Sequence, residues 1–280
     1  MGPVTTACRT ALLPAQANSS RRPSIELVSS PSFPTQDIRL EAHGYVARLA
    51  LGAQDRAAAY RLRFVVFNLE LQEGLESAYL TGHDTDRYDD VCDHLLVERM
   101  ATGEVVGTYR IQMGDVARAN FGYYSEQEFD FSPYESMRSH VAELGRACIH
   151  RDHRSPEVLN LLWRGLARYV LAQGGRYMMG CCSLTSQDPM EGLGVYESLK
   201  NHVVATELQT LPTAAYALPH QAAQVTAMPA PKLLRAYLTI GAKICGPPAI
   251  DREFKTIDFL TMLDLNTLHP RMAARFLDAR

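Results

Sequence analysis

The stretch from Val141 to Arg168, VAELGRACIHRDHRSPEVLNLLWRGLAR, decides how the chain folds. Its first part is mostly apolar and predicts a buried strand, yet this strand carries Glu143 and Arg146. The intervening Gly145 predicts a β-bulge, because glycine inside a strand often marks an extra residue on one side of the ladder. A bulge re-aims one side chain and frees backbone N–H groups, which can hold an oxyanion.

A basic turn and a capped helix follow the strand. The turn contains Arg151 and Arg154, and Ser155-Pro156-Glu157 supplies an N-cap, a first-turn proline and a first-turn acid. Apolar residues then recur at helical spacing, which leaves Arg164 and Arg168 on a second, basic stripe. Because helix N-termini favour phosphate, the turn is a candidate anion site. An ordinary strand, turn and helix with solvated arginines fits the same pattern equally well.

Length and composition are those of a cytoplasmic globular protein. The chain has 280 residues, 46% of them hydrophobic, and a net charge of −3, which argues against nucleic-acid binding. Its six cysteines show no C-x-x-C pair and no disulfide spacing, so we expect reduced thiols. No apolar run approaches the roughly 20 residues that cross a bilayer, so we expect any membrane contact to be peripheral, at the inner membrane face.

Residues 1–40 differ in composition from the rest. They are rich in Ser, Thr, Pro and Ala, which predicts a flexible tail without a secretory signal. Residues 41–280 predict one domain whose order begins near Tyr45. Its elements run strand and helix, three strands, helix, strand, helix, and then a helix-strand-helix extension over 231–280. This order predicts a mixed α/β fold, with a twisted central sheet flanked by helices.

Upstream polar residues are candidates for binding. The predicted first helix places Arg63 beside Phe67, where a guanidinium and a ring can grip a carboxylate and cover an apolar chain; a surface arginine over a core phenylalanine fits as well. Asp86 and Asp89 belong to an acidic loop that lacks the glycine and terminal glutamate of an EF-hand, so we predict no metal there. The loop suits an amine-bearing substrate or is simply solvated. Arg110 ends the second strand of a predicted hairpin.

Several motifs together resemble a known family. Arg63-x-x-x-Phe67, Asp86-x-x-Asp89, Arg110 at its strand end and Glu143-Leu-Gly-Arg146 resemble the signature of acyl-homoserine-lactone synthases, a branch of the GNAT-like acyltransferases. A closer resemblance, over about residues 40–277, is to the ornithine-lipid Nα-acyltransferases, also described as hemolysin-like. The segments that carry it are VCDHLLV, VVGTYR, YYSEQEFDFS, ELGRACIHRDHR, LLWRGLARYV and AYLTIGAKICGPPAIDREFKTIDF.

The resemblance implies a GNAT-like fold and an activity. The activity is transfer of a 3-hydroxy fatty acyl group from acyl carrier protein to the α-amine of L-ornithine, giving lyso-ornithine lipid. The phosphopantetheine thioester of the carrier is then a co-substrate, and no cofactor stays bound. A thioester is already activated, so the enzyme mainly deprotonates the amine, holds the oxyanion and releases a thiol.

The resemblance also suggests roles. Glu143 is the expected general base, Arg146 orients its carboxylate, and Tyr196 resembles the tyrosine that protonates the leaving thiolate in many GNAT enzymes. A half-buried tyrosine packing a helix end accounts for Tyr196 equally well. Residues complementary to the ornithine carboxylate and ammonium are Arg63, Phe67, Asp86, Asp89 and Arg110. Residues expected to hold the phosphopantetheine phosphate and the acidic carrier are Arg151, Arg154, Ser155, Arg164 and Arg168.

Three alternatives stay open. An acyl-homoserine-lactone synthase is expected to carry a tryptophan after the first helix, but the only tryptophan here is Trp163. An N-acyl amino acid synthase acting on another amino acid shares the scaffold. A catalytically silent acyl-binding module is the third, and the presence of Glu143 together with Arg146 argues against it.

Overall fold

The computed structural model describes residues 38–219 and 225–277. Most of the predicted tail therefore lies outside the described residues. The first described strand is β1 (Arg39–Ala42), which lies before the predicted first strand at Tyr45. The chain turns into β2 (Tyr45–Leu49) through His43 and Gly44, whose φ values are 52° and 80°. This two-residue turn fits a hairpin, but His-Gly is a weaker turn signal than Asn-Gly, which is why sequence reasoning missed β1.

The described residues form one nine-stranded mixed sheet, in the order β1-β2-β3-β4-β5-β6-β9-β7, with β8 also paired to β9. Only β5 and β6 are parallel to each other, and every other pair is antiparallel. The mixed α/β sheet predicted from the sequence is confirmed. The remaining strands are β3 (Asp93–Arg99), β4 (Glu104–Met113), β5 (Val141–Ile149), β6 (Tyr177–Leu184), β7 (Lys243–Ile244), β8 (Ala249–Asp251) and β9 (Thr256–Asp264).

The helices begin where their capping residues indicate. Ser155 Oγ accepts from Val158 N at 3.4 Å, and Asp188 Oδ1 accepts from Met190 N at 2.9 Å. The predicted first helix, which carries Arg63 and Phe67, is observed as an α-helix that continues as a π-helical segment, Phe64–Leu71. The α-helices are α1 (Ala53–Arg63), α2 (Ala78–Thr81), α3 (Gly114–Ala119), α4 (Pro156–Ala172), α5 (Pro189–Leu199), α6 (Lys232–Thr239) and α7 (Pro270–Leu277).

Helices α4 and α1 contact different side chains of the sheet. Helix α4 connects β5 to β6 and buries Leu161, Leu162 and Leu166 in the main apolar core. Burying a leucine fully stabilises the fold by about 1.5–3 kcal/mol. Helix α1 instead packs Leu62, with Val66 of the π-helical segment, against Cys148. The sheet is therefore held between these two helices.

The parallel strands β5 and β6 pair only over their first residues. Their register joins Val141 to Tyr177 and ends where Glu143 faces Met179. Beyond Glu143, β5 stays with β4 while β6 stays with β9, so a wedge opens between them. At its narrow end a Cβ on Gly180 would lie 2.1 Å from the carbonyl oxygen of Leu144. Glycine is required there because the two backbones approach so closely.

Strand β5 contains the predicted bulge. Thr108 pairs with Cys148 and Arg110 with Gly145, so β5 carries one more residue than β4 between these pairs. The strained residue is Arg146, with φ of 49°, rather than the glycine before it. A non-glycine residue in this region costs about 1–3 kcal/mol unless its surroundings hold it.

The C-terminal extension adds to the sheet. It contains the predicted helix α6, strand β9 and closing helix α7, together with two short strands, β7 and β8, that the sequence did not indicate. Strand β9 lies between β6 and β7. Among the described helices, none has the length and apolar character needed to cross a membrane.

We expect Gly180→Ala to lower the free energy of unfolding by about 3 kcal/mol or more, because the new methyl group overlaps the Leu144 backbone. Gly107→Ala is the control: its Cβ would meet only ordinary contacts at 3.4 Å or more, and we expect a change below about 1 kcal/mol. Urea denaturation measures both. Equal effects would contradict a close backbone approach at the wedge.

Candidate active site

A cavity of about 290 Å³ lies where β5 and β6 separate, lined by residues 144–147 and 178–183 of the two strands. Part of its wall is apolar, and includes Tyr109, Trp163, Leu166, Tyr237 and Phe276. Another part is polar, and includes Arg110, Ser125, Glu143, Arg146 and Asp258. Such a cavity fits a molecule with an apolar chain and a polar, reactive end.

Glu143 lines this cavity at the last paired position of β5, with 7% of its surface exposed. Its carboxylate accepts three hydrogen bonds, from Tyr124 N at 2.7 Å, Ser125 N at 2.8 Å and Ser125 Oγ at 2.5 Å. Burial raises the pKa of Glu143 above its ordinary value, although the bonds from Ser125 and Tyr124 oppose the shift. A buried carboxylate with a raised pKa is suited to accept a proton near neutral pH.

The donors to Glu143 come from a short helical turn, Tyr124–Gln127, in the connection between β4 and β5. Sequence reasoning assigned no role to Ser125. The available signal was the motif YYSEQEFDFS, which places two backbone donors and a hydroxyl together. The turn orients the carboxylate that Arg146 was predicted to orient.

Arg63 and Asp89 do not face the cavity. Arg63 is 1% exposed and donates to Asp84 at 2.8 Å and to Asp89 at 2.7 Å and 2.9 Å. Burial alone would raise the pKa of Asp89, but the charges of Arg63 and Arg110 outweigh it and hold that pKa below its usual range. Arg63 and Asp89 are therefore enclosed by protein partners and do not line the cavity, and their predicted role in substrate binding stays a prediction.

Arg110 and Asp86 also pair with each other, at 2.6 Å. Arg110 and Phe67 both line the cavity, so these two residues stay candidates for substrate contact. Asp86 caps the short helical turn Arg87–Asp90 by accepting from Tyr88 N at 2.8 Å. The acidic loop therefore neutralises arginines inside the protein, and it is not a solvated loop.

Arg146 does not contact Glu143, which corrects the predicted pairing. Its guanidinium donates to both oxygens of Asp84, which is 0% exposed. It also lies between the rings of Phe67 and Phe254, with its Cζ 4.5 Å from each centroid. These contacts hold the strained backbone of the bulge.

The basic turn after β5 is partly engaged. Arg154 pairs with Glu70 at 2.6 Å and donates to Ile149 O at 3.1 Å, so its guanidinium is tied to the π-helical segment. Ser155 caps α4, whereas the side chain of Arg151 is 71% exposed. Arg164 and Arg168 are partly exposed on α4. Arg151 beside the helix start therefore remains the candidate phosphate contact.

Tyr196 lies on α5, apart from the residues that line the cavity. It is partly buried and packs against the core cluster that contains Val195 and Leu199. The structure does not bring it together with Glu143, and its predicted role in thiolate protonation stays a prediction.

Three buried carboxylates that the sequence did not single out lie beside the cavity: Glu128, Asp251 and Asp258, which are 0%, 2% and 4% exposed. A carboxylate oxygen of Glu128, a carboxylate oxygen of Asp258 and the sulfur of Cys181 all lie within 4.8 Å of one another. Burial and the charges of Asp258 and Asp251 raise the pKa of Glu128 well above its ordinary value. Burial raises the pKa of Asp258 to about 6. We call these three carboxylates the acid cluster.

Comparison with known proteins agrees with this geometry. The family described as Acetyltransferase (GNAT) domain matches residues 62–164. Two solved structures share the fold: TofI, in a ternary complex with an inhibitor and MTA (TM-score 0.50, 17% identity, covering 82% of this chain and 95% of TofI), and FeeM, an N-acyl amino acid synthase from uncultured soil microbes (TM-score 0.50, 12% identity, covering 80% and 93%). Fold, cavity and buried carboxylate together define a GNAT-like acyltransferase.

Proteins with similar sequences identify a particular family within the GNAT-like acyltransferases. An L-ornithine N(alpha)-acyltransferase of Brucella abortus (strain 2308) is 31% identical over 246 residues, which cover 80% of this chain and 85% of the relative. One from Rhizobium meliloti (strain 1021) is 30% identical over 254 residues, covering 85% and 86%. The chain belongs to the L-ornithine N(alpha)-acyltransferase family.

We expect Asp89→Asn to lower the free energy of unfolding by about 3–5 kcal/mol, because Arg63 then keeps a buried charge with one partner fewer. Thermal and urea denaturation measure this loss. Asp264→Asn is the control, since its partner Arg176 is 41% exposed and the pair contributes less than about 1 kcal/mol. A loss as small as that of the control would show that the arginine network does not depend on Asp89.

Proposed function

We propose that the protein transfers a 3-hydroxy fatty acyl group from acyl carrier protein to the α-amine of L-ornithine, forming lyso-ornithine lipid. The observation that carries this proposal is the cavity in the β5–β6 wedge, which joins the Glu143 carboxylate to an apolar wall. The name shared by the relatives supports ornithine as the acceptor. The apolar wall fits a fatty acyl chain and the basic turn fits an acidic carrier, and these two features support acyl carrier protein as the acyl donor.

Glu143 takes the proton of the attacking amine, directly or through a water molecule. Its pKa is raised by burial, which brings it closer to that of its proton donor, while Ser125 and Tyr124 keep the carboxylate oriented. The amine nitrogen then attacks the thioester carbonyl, and the sulfur of the phosphopantetheine arm leaves with a proton. Tyr196 is the predicted donor of that proton.

The wedge supports the step in which negative charge develops on the carbonyl oxygen. The edges of β5 and β6 that face each other beyond Glu143 do not form a ladder. Arg146 and Ala147 line the cavity and belong to the bulge. We assign the oxyanion to N–H groups of this bulge, because preorganised donors stabilise the charge that appears in the transition state.

The acyl chain and its carrier approach from different parts of the protein. The acyl chain lies along the apolar wall, which includes Trp163 and Phe276; these two rings pack edge to face with their centroids 5.7 Å apart. The carrier contacts the basic turn and α4 through Arg151, Arg164 and Arg168, and the helix N-terminus adds to the attraction for phosphate. We place the enzyme in the cytoplasm, with peripheral contact at the inner membrane face where its amphiphilic product is released.

We expect Glu143→Gln to reduce kcat by roughly 100-fold or more, because an amide cannot accept the amine proton. The assay combines 3-hydroxyacyl carrier protein with a panel of amino acids and identifies products by mass spectrometry. Circular dichroism confirms that the variant is folded. Unchanged activity would refute Glu143 as the base, and no product from any amine with the wild-type protein would leave only an acyl-binding module.

Arg151→Glu should raise the KM for acyl carrier protein about tenfold, corresponding to about 1.4 kcal/mol, while the KM for the amino acid changes little. Lys243→Glu, an exposed charge reversal on β7, controls for the change in net charge. The KM difference should shrink at high salt, because exposed charges are screened. Equal effects of both variants would contradict carrier docking at the basic turn.

A further inference from the structure

The acid cluster lies close to the reacting carboxylate. Ser125 Oγ donates to Glu143, Cys181 Sγ donates to Ser125 Oγ at 3.4 Å, and Cys181 Sγ lies 3.7 Å from Glu128 Oε2. Asp258 and Cys181 both line the cavity. The acid cluster therefore opens on the same cavity as Glu143, with Ser125 and Cys181 between them.

The acid cluster lacks a positive partner in the described part of the chain. None of the ion pairs formed there involves Glu128, Asp251 or Asp258. Glu128 Oε1 and Asp258 Oδ1 are buried without a hydrogen-bond partner. Buried carboxylates of this kind are costly unless a cation reaches them.

The contrast with the other acidic residues is sharp. Asp84, Asp86 and Asp89 are matched by Arg63, Arg110 and Arg146. In the described part of the chain, Asp86 also has one buried oxygen without a hydrogen-bond partner, but its other oxygen pairs with Arg110. Glu128 and Asp258 form no ion pair there, and Asp258 lines the cavity. A cation supplied by the ligand would complete the acid cluster.

We propose that the acid cluster is the subsite for the side-chain ammonium of the acceptor, and that it makes the enzyme select amino acids with a second amine. This inference rests on the proposed function and specifies its acceptor. The α-amine lies at Glu143, the propylene side chain extends past Ser125 and Cys181, and the δ-ammonium meets Asp258 and Glu128. Asp251 adds its negative charge to the pair, and its own carboxylate is held by bonds from Tyr124 Oη at 3.1 Å and Phe254 N at 3.0 Å.

This subsite explains selectivity by charge. An amino acid with a neutral side chain of the same length leaves the buried carboxylates uncompensated, whereas ornithine neutralises them. The arginines lie at another part of the cavity wall, where Arg146 stacks on Phe254 and Arg110 on Tyr124. Tyr124 and Phe254 thus separate the cationic wall from the acid cluster, and an amino acid whose carboxylate faces the arginines directs its side chain to the acids.

The test compares L-ornithine with L-norvaline, which has the same carbon chain without the second amine. For the wild-type protein, we expect kcat/KM for ornithine to exceed that for norvaline by about 100-fold or more. Asp258→Asn and Glu128→Gln should each reduce the ornithine-to-norvaline ratio by about 10- to 100-fold, mainly through the KM for ornithine. Glu253→Gln removes an exposed carboxylate two residues from Asp251 and should leave the ratio unchanged.

Binding of ornithine to the variants, measured by calorimetry without the acyl donor, separates this inference from the proposed function. Weaker ornithine binding by Asp258→Asn and Glu128→Gln, with unchanged binding by Glu253→Gln, supports the subsite even if acyl transfer is not observed. An unchanged ratio and unchanged ornithine binding in both folded variants would overturn it. A stoichiometric zinc ion in the purified protein that is lost from Asp258→Asn would also overturn it, since the acid cluster would then be a metal site.

Discussion

The separation of β5 from β6 directly after Glu143 is the constraint on which the site depends. Helix α4 connects the two strands as parallel neighbours, and their short ladder from Val141 to Glu143 holds them together at one end. Their other partners, β4 and β9, then draw them apart. A continuous ladder would fill this space with backbone hydrogen bonds, whereas the wedge gives an acyl chain and an amine access to the same carboxylate.

A buried network of arginines and aspartates fixes strand β5, which carries Glu143. Asp84 accepts from both Arg63 and Arg146, so it ties α1 to the bulge of β5. Asp89 joins Arg63 to Arg110 of β4. The positive φ of Arg146 is tolerated because this network and two stacked rings oppose its relaxation. Arg63 and Asp89 therefore hold strands that form the cavity wall, whereas Arg110 and Phe67 line the cavity itself.

Local sequence signals were enough to predict most helices and strands, because capping residues and glycines mark where these elements begin and end. Strand β5, helix α4 and strand β6 lie where the sequence placed them. Partners distant in sequence were not predictable: Arg63 and Asp89 are 26 residues apart, and any of several acids in that loop could have matched an arginine. The acid cluster was harder still, since Glu128 and Asp258 meet only after β9 pairs with β6 and the connection before β5 folds over them.

The distribution of charge across the cavity bears on how an acceptor lies in it. Paired arginines are already neutralised, so they attract a carboxylate through hydrogen bonds and residual field more than through net charge. The acid cluster forms no ion pair in the described part of the chain, and burial together with repulsion from Asp258 and Asp251 raises the pKa of Glu128. A ligand ammonium relieves this repulsion as it binds and lets the carboxylates ionise. Binding energy gained there orients the acceptor, because the side-chain ammonium is held while the α-amine reaches Glu143.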